Sequence, residues 1–78
     1  MSTAKLKSCI SKGLEDDLSY LELRVYLIEF KEEGGDQQEA INILEEIHQK
    51  QTNEEAADRL LELIDLTEGH GIKTLRVW

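Results

Sequence analysis

The chain has 78 residues, of which 17 are acidic, 9 are basic and 40% are hydrophobic, and its formal net charge is −8. This length supports a single domain, and one cysteine excludes the disulfide-stapled secreted scaffolds. The apolar content is too high for a disordered acidic chain, and binding to nucleic-acid phosphates needs clustered Lys and Arg, which the acidity argues against. We therefore expect one folded domain over residues 1–78.

The first predicted element is a short helix over residues 3–12. Ser2 or Thr3 can cap its start, and Gly13 lies where a glycine commonly ends a helix. Because Cys9 lies on the apolar stripe of this helix, we expect a small buried apolar cysteine and not a nucleophile. The stripe follows the i, i+3, i+4 spacing and consists of Leu6, Cys9 and Ile10.

The second predicted element is a helix over residues 19–33, which would be central to the core. Ser19 followed by Glu22 is a capping-box signal, and Gly34 would end the helix. A strand is the alternative for residues 19–30, because β-forming residues also occupy alternate positions there. The length and the caps favour the helix. Its broad apolar face has two rows: Tyr20, Leu23, Leu27 and Phe30 in the first, and Leu21, Val25 and Ile28 in the second.

Two further helices are predicted over residues 36–50 and 53–68. Asp36 opens the first of them, Thr52 or Asn53 opens the second, and each start has a glutamate three residues into the helix. Helical spacing of apolar residues continues through both segments. The apolar positions are Ala40, Ile41, Leu44 and Ile47 in one helix and Ala56, Ala57, Leu60, Leu61 and Ile64 in the other.

The tail over residues 70–78 is too short for a stable helix and rich in β-formers, so we expect it to be extended. Trp78 has two interpretations, because a tryptophan can fold back on the core or anchor a partner. The connections between helices are short, which favours antiparallel neighbours. The predicted fold is therefore all-α: a compact bundle of about four short antiparallel helices with an extended C-terminal tail.

No pattern supports an enzyme, a cofactor site or a metal site. Asp65, Glu68 and His70 do not match a known metal-cage spacing, and Gly69-His70-Gly71 lacks the strand and helix that a nucleotide-binding turn requires. The sequence also has no apolar run of transmembrane length and no signal-peptide core at its start. We expect a non-enzymatic, cytoplasmic protein that binds neither membranes nor nucleic acid.

The charge is segregated along the chain. Residues 13–69 contain all 17 acidic residues and only four basic ones. A solvated helical surface is one interpretation of this pattern, and an electrostatic face that steers a basic protein partner is the other. The predicted partner-binding residues lie mostly near the two ends of the second helix: Glu15, Asp16, Asp17, Tyr26, Glu32, Glu33, Asp36 and Trp78.

The layout of short acidic helices resembles the small bacterial immunity proteins, which neutralise a toxin by covering it with carboxylates. The residues that carry this resemblance are residues 32–36, 40–47, 53–55 and 60–63. It implies an inhibitor that acts on a basic partner and supplies no transferable site residues. The alternative is a structural or regulatory helical module that works as a homo-oligomer, since a homodimer would cover the wide apolar face of the second helix.

Overall fold

The computed structural model describes residues 1–70 and 73–78, and these residues contain four α-helices and no β-strand. The prediction of an all-α bundle is confirmed, and the strand alternative for residues 19–30 is excluded. The helices are α1 (Thr3–Glu15), α2 (Tyr20–Glu32), α3 (Gln37–Gln49) and α4 (Glu54–Glu68), followed by a short 3₁₀ turn at Lys73–Leu75.

Each α-helix starts at a side chain that accepts a hydrogen bond from the first turn. Ser19 and Glu22 form the predicted capping box, in which each side chain accepts from the other residue's backbone N–H. Ser2 caps α1 and Asp36 caps α3. Asn53 caps α4 by accepting from two backbone N–H groups, so this cap is Asn53 and not Thr52.

The prediction that Gly13 ends the first helix is wrong, because α1 continues to Glu15. The left-handed residue after this helix is Asp17, with φ of 61°. The Leu18 N–H donates to the Gly13 carbonyl (3.0 Å), which closes the helix by the same hydrogen-bonding pattern that a terminal glycine usually provides. Gly13 is buried within the helix because its missing side chain leaves room for Leu18 and Leu23.

Helices α2 and α4 end at glycines, as the sequence predicts. Gly34 follows α2 with φ of 91° and Gly69 follows α4 with φ of 87°. The next N–H after each glycine donates back to a carbonyl of the last helical turn, at Phe30 and Asp65 respectively. The first turn separates α2 from α3, and the second ends α4 before the C-terminal segment.

The core is shared by all four helices. Helix α1 packs on α2 and α3, and α4 packs on the same two helices. Cys9 is only half-buried, so the prediction that it is a fully buried core residue needs correction. The buried apolar residues are Leu6, Ile10, Leu14, Leu23, Leu27, Phe30, Ala40, Ile43, Leu44, Ile47, Ala56, Leu60, Leu63, Ile64, Leu66 and Val77.

The two apolar rows of α2 have different environments. Leu23, Leu27 and Phe30 of the first row are buried. In the second row, Leu21 is 46% exposed and Val25 is 48% exposed. The core therefore accepts one row of α2 and leaves most of the other on the surface.

The C-terminal segment folds back on α2 and α4. It is not wholly extended as predicted, since it contains the 3₁₀ turn, while Ile72 and Gly71 lie outside the described residues. Val77 is buried, and its N–H donates to the Leu66 carbonyl of α4 (3.1 Å). Trp78 is partly buried against the core, which is the first of its two predicted placements.

Within the described part of the chain, no helix combines the length and apolarity needed to cross a bilayer.

Replacing Gly13 by alanine tests the close approach of α1 to α2. A Cβ at this position would overlap the Leu23 side chain and lie 3.1 Å from the Leu18 Cδ1 atom. We expect Gly13→Ala to lower the free energy of unfolding by up to about 2 kcal/mol, because an overpacking cost of about 1–3 kcal/mol outweighs the gain of about 1 kcal/mol in helix propensity. Urea denaturation would measure this change. Ser8→Ala, at an exposed position of the same helix, should be neutral or stabilising, and a stabilised Gly13→Ala chain would contradict the packing argument.

Candidate partner-binding surface

Every one of the 17 acidic residues of this chain is exposed. Exposed carboxylates keep their charge at neutral pH, so the fold presents its whole negative charge to solvent. Only a minority of these residues take part in an ion pair with a described residue. Those that do are Asp16, Asp17, Glu33, Glu46, Glu55 and, with a histidine, Glu68.

All four cations of residues 13–69 form hydrogen bonds or ion pairs with other residues of the chain. Arg24 and Lys31 on α2 donate to the carbonyls of Leu75 and Val77 in the C-terminal segment. Arg59 donates to Asp17 (2.7 Å), and Lys50 pairs with Glu46 (3.5 Å). Four cations against 17 carboxylates leave a large surplus of negative charge in this part of the chain.

The predicted residues near the α1–α2 turn have different roles. Asp17 holds the turn to α4 through Arg59, whose side chain is 21% exposed. Asp16 caps the end of α1 and lies 3.8 Å from the Lys12 ammonium. Glu15 is exposed and has no ion pair with any residue that the structure describes. The turn therefore uses Asp17 for its own stability and leaves Glu15 available to a partner.

The second predicted acidic group lies at the other end of α2. Glu33 pairs with the Met1 amino group, and Asp36 accepts the N-terminal hydrogen bond of α3. Glu32 is exposed and makes no ion pair within the described chain. Since α2 has 13 residues, its two ends are about 20 Å apart. The structure therefore does not bring the two acidic groups together into one site.

The two predicted aromatic anchors are both partly buried. Tyr26 packs against the core from the side of α1, where it lines a surface groove with Cys9 and Lys5. Trp78 lies under the Lys31 ammonium, 5.9 Å from its ring centroid, which is within the range of a cation–π contact. Both rings contribute to the fold and keep part of their surface accessible.

The outward row of α2 is the surface that the sequence-based site prediction did not include. Leu21, Val25 and Ile28 follow the i, i+4, i+7 spacing, so they form one row along two helical turns. Leu21 and Val25 are about half exposed, and Ile28 is partly buried. The apolar second row was visible in the sequence, but only the packing decides which of the two rows faces solvent.

Helix α4 has an outward acidic row that the site prediction also missed. Glu54, Asp58 and Glu62 repeat at four-residue intervals, and Asp65 follows three residues later. All four are exposed, and none has an ion pair with a described residue. Like charges at this spacing destabilise a helix by about 0.2–0.5 kcal/mol per pair. A cationic partner would relieve the repulsion between neighbouring carboxylates of this row.

Among residues 1–70 and 73–78, no group of three or more His, Cys, Asp or Glu side chains is arranged to hold a metal ion. Glu68 and His70 approach one another to 4.0 Å, while the Gly69-His70-Gly71 segment extends beyond the described residues.

The carboxylate of Glu46 on α3 has a lowered pKa because of its contacts with two lysines. The Lys7 ammonium of α1 donates to Glu46 of α3 (2.6 Å), and Lys50 lies 3.5 Å from the same oxygen. The hydrogen bond from Lys7, followed by its positive charge, lowers the pKa of Glu46 below the ordinary glutamate value. Since the pKa is lowered in the folded state, the pair stabilises the fold above the unfolded-state pKa, and this contribution is lost as the pH falls through the folded-state pKa.

Replacing Lys7 by glutamine should raise the pKa of Glu46 toward its ordinary value. The substitution removes the Lys7 ammonium, whose hydrogen bond to Glu46 and, after it, positive charge lower this pKa. An NMR titration of the side-chain carboxyl would measure the change, with Lys5→Gln on the same helix as the control. If Glu46 titrates identically in the wild type and the Lys7→Gln chain, Lys7 is not the cause.

Replacing Lys31 by alanine should loosen the C-terminal segment. The change removes the donor to the Val77 carbonyl (2.7 Å) and the cation over Trp78. We expect a red-shifted and more readily quenched emission from Trp78, the single tryptophan, and a loss of about 1 kcal/mol in the free energy of unfolding. Lys12→Ala, at a 76% exposed side chain, should leave the emission unchanged. Unaltered emission in Lys31→Ala would contradict the described contact.

The chain matches no protein-family model, and comparison with curated proteins and with solved structures gave no significant match. The resemblance to immunity proteins stays a prediction.

Proposed function

We propose that this chain is a non-enzymatic protein-binding module whose partner is a basic protein, and that it acts as an inhibitor or immunity-type protein by covering that partner. The observation that carries the proposal is the distribution of charge. All 17 acidic residues are exposed, and residues 13–69 contain only four cations, each of which contacts another residue of the chain.

The mechanism has two stages with different physical origins. A surface with a large excess of one charge attracts an oppositely charged protein and accelerates the encounter. Apolar side chains that become buried in the contact then slow dissociation. The exposed Leu21 and Val25 on α2 can supply this second contribution, and the surrounding carboxylates can supply the first.

A cytoplasmic location is part of the proposal. The single Cys9 is half-buried and unpaired, which is compatible with a reducing compartment.

The alternative function is a structural or regulatory module that acts as a homo-oligomer. Leu21 and Val25 favour it, because burial of these side chains against a second copy would remove apolar surface from water. The net charge of −8 per chain opposes it, since association would bring like charges together. We therefore favour a partner of opposite charge.

Capture from a lysate of the source organism tests the proposed function. The immobilised chain is washed at about 0.1 M and then about 1 M salt, which shortens the Debye length from about 10 Å to about 3 Å. We expect mass spectrometry to find a basic protein that is retained at low salt and released at high salt. The matched control is a folded chain with Glu54→Gln, Asp58→Asn and Glu62→Gln, which should retain less of that protein. Retention that does not depend on salt, or an eluate without enriched basic proteins, would contradict the proposal.

A further inference from the structure

We propose that the outward row of α2, formed by Leu21, Val25 and Ile28, is the docking surface for an amphipathic helix that carries Lys or Arg beside its apolar stripe. This inference rests on the proposed function and specifies where the basic partner binds. It depends on three observations: the exposure of the row, the charge along its two edges, and the repulsion that a second copy would meet.

The row provides an apolar surface of the shape that a helix can cover. Leu21 and Ile28 are seven positions apart, which corresponds to about 10 Å along the axis of α2. Leu21 is 46% exposed and Val25 is 48% exposed, whereas the only other exposed large hydrophobic side chain in the described chain is Leu61 on α4. Two exposed side chains on adjacent turns can contact the same partner helix, while Leu61 is isolated on another helix.

One edge of the row is acidic. Glu22 and Glu29 lie seven residues apart on the same side of Val25, and Glu32 continues the row one turn after Ile28. All three are exposed. Glu29 and Glu32 have no ion pair with a described residue, while Glu22 accepts the hydrogen bond of the capping box. The edge thus offers at least two unpaired carboxylates to a cation.

The other edge of the row contains the two cations of α2, and both form hydrogen bonds within the chain. Arg24 and Lys31 donate to the Leu75 and Val77 carbonyls of the C-terminal segment. These hydrogen bonds go to neutral carbonyls, so both side chains keep their positive charge and this edge of the row is not acidic. The negative charge beside the apolar side chains belongs to the opposite edge, and a helix with cations on that side complements it.

A second copy of the chain is a poorer occupant than a cationic helix. Antiparallel pairing of two α2 helices would place like edges together, acidic against acidic and cationic against cationic, and like charges that face each other are destabilising. The net charge of −8 adds a long-range repulsion between copies. The same carboxylates that repel a second copy attract a partner with Lys or Arg at the corresponding positions.

A synthetic helical peptide tests this surface. The probe has leucines on one face and lysines on the side of them that meets the acidic edge of the row, and two controls have the same composition in scrambled order or glutamate in place of lysine. A ¹H–¹⁵N titration of the full chain should show salt-sensitive binding of the lysine probe alone, with the largest shifts at Leu21, Val25 and Ile28.

Matched variants separate the surface from general electrostatic attraction. Leu21→Ser with Val25→Ser should weaken binding of the lysine probe about tenfold, whereas Leu61→Ser, which removes a side chain of equal exposure on α4, should not. Glu29→Gln with Glu32→Gln should weaken binding more than Glu54→Gln with Asp58→Asn. Unfolding curves confirm that each variant is folded before it is compared.

The remaining outcomes overturn the inference in distinguishable ways. Salt-sensitive binding whose shifts map to α4, or an equal loss from Leu61→Ser, would place the contact elsewhere while leaving the proposed function intact. A stable dimer in sedimentation equilibrium with α2 at its interface would replace the cationic helix by a second copy. Binding of the lysine probe to α2 without any basic partner in the lysate would support the surface and contradict the proposed function.

Discussion

The rest of the structure depends on one constraint: α2 has two apolar rows, and the bundle has room to bury only one of them. Leu23, Leu27 and Phe30 face α1 and α4 and become core. Burial of these side chains is the dominant stabilising contribution that α2 can make. Leu21 and Val25 then remain in contact with water because the same helix cannot face two cores at once.

The position of α2 also depends on a small residue in its neighbour. Gly13 lies within α1 where Leu23 approaches, so the absence of a side chain permits close packing of the two helices. Helix α1 then ends two residues later, before a turn in which Asp17 takes the left-handed conformation and pairs with Arg59 of α4. Gly13 permits the close approach of α1 and α2, and Asp17 provides the left-handed residue that follows the end of α1.

Local signals in the sequence predict the elements well and the tertiary roles poorly. The capping box at Ser19 and the terminal glycines Gly34 and Gly69 each depend only on residues a few positions away. The sequence therefore predicts these helix ends. The local pattern around Gly13 predicts a helix end. Its close contact with Leu23 joins two helices and leaves no local signal in the sequence. In the same way, the pairing of Asp17 with Arg59 joins residues that are 42 positions apart, and no local pattern indicates it.

The acidic residues show the same difference between what local sequence predicts and what tertiary contacts decide. Segregation of the acidic residues was evident from the sequence, and their exposure follows from the cost of burying unpaired charge. Which carboxylates stabilise the fold and which remain available depended on tertiary contacts. Asp17, Glu33 and Asp36 serve the fold, whereas Glu29 and Glu32 border exposed apolar side chains. The surface that we propose for binding therefore runs along the outward face of α2 and includes Glu32 of the predicted residues.

The most direct test of this account is a lysate capture in which the wild-type chain is compared with the folded Leu21→Ser, Val25→Ser chain at low salt. Quantitative mass spectrometry measures the amount of basic protein retained by each. The account predicts that the double substitution loses the basic partner while its net charge and helical content stay the same. Equal retention by both chains would contradict a role for the outward row of α2.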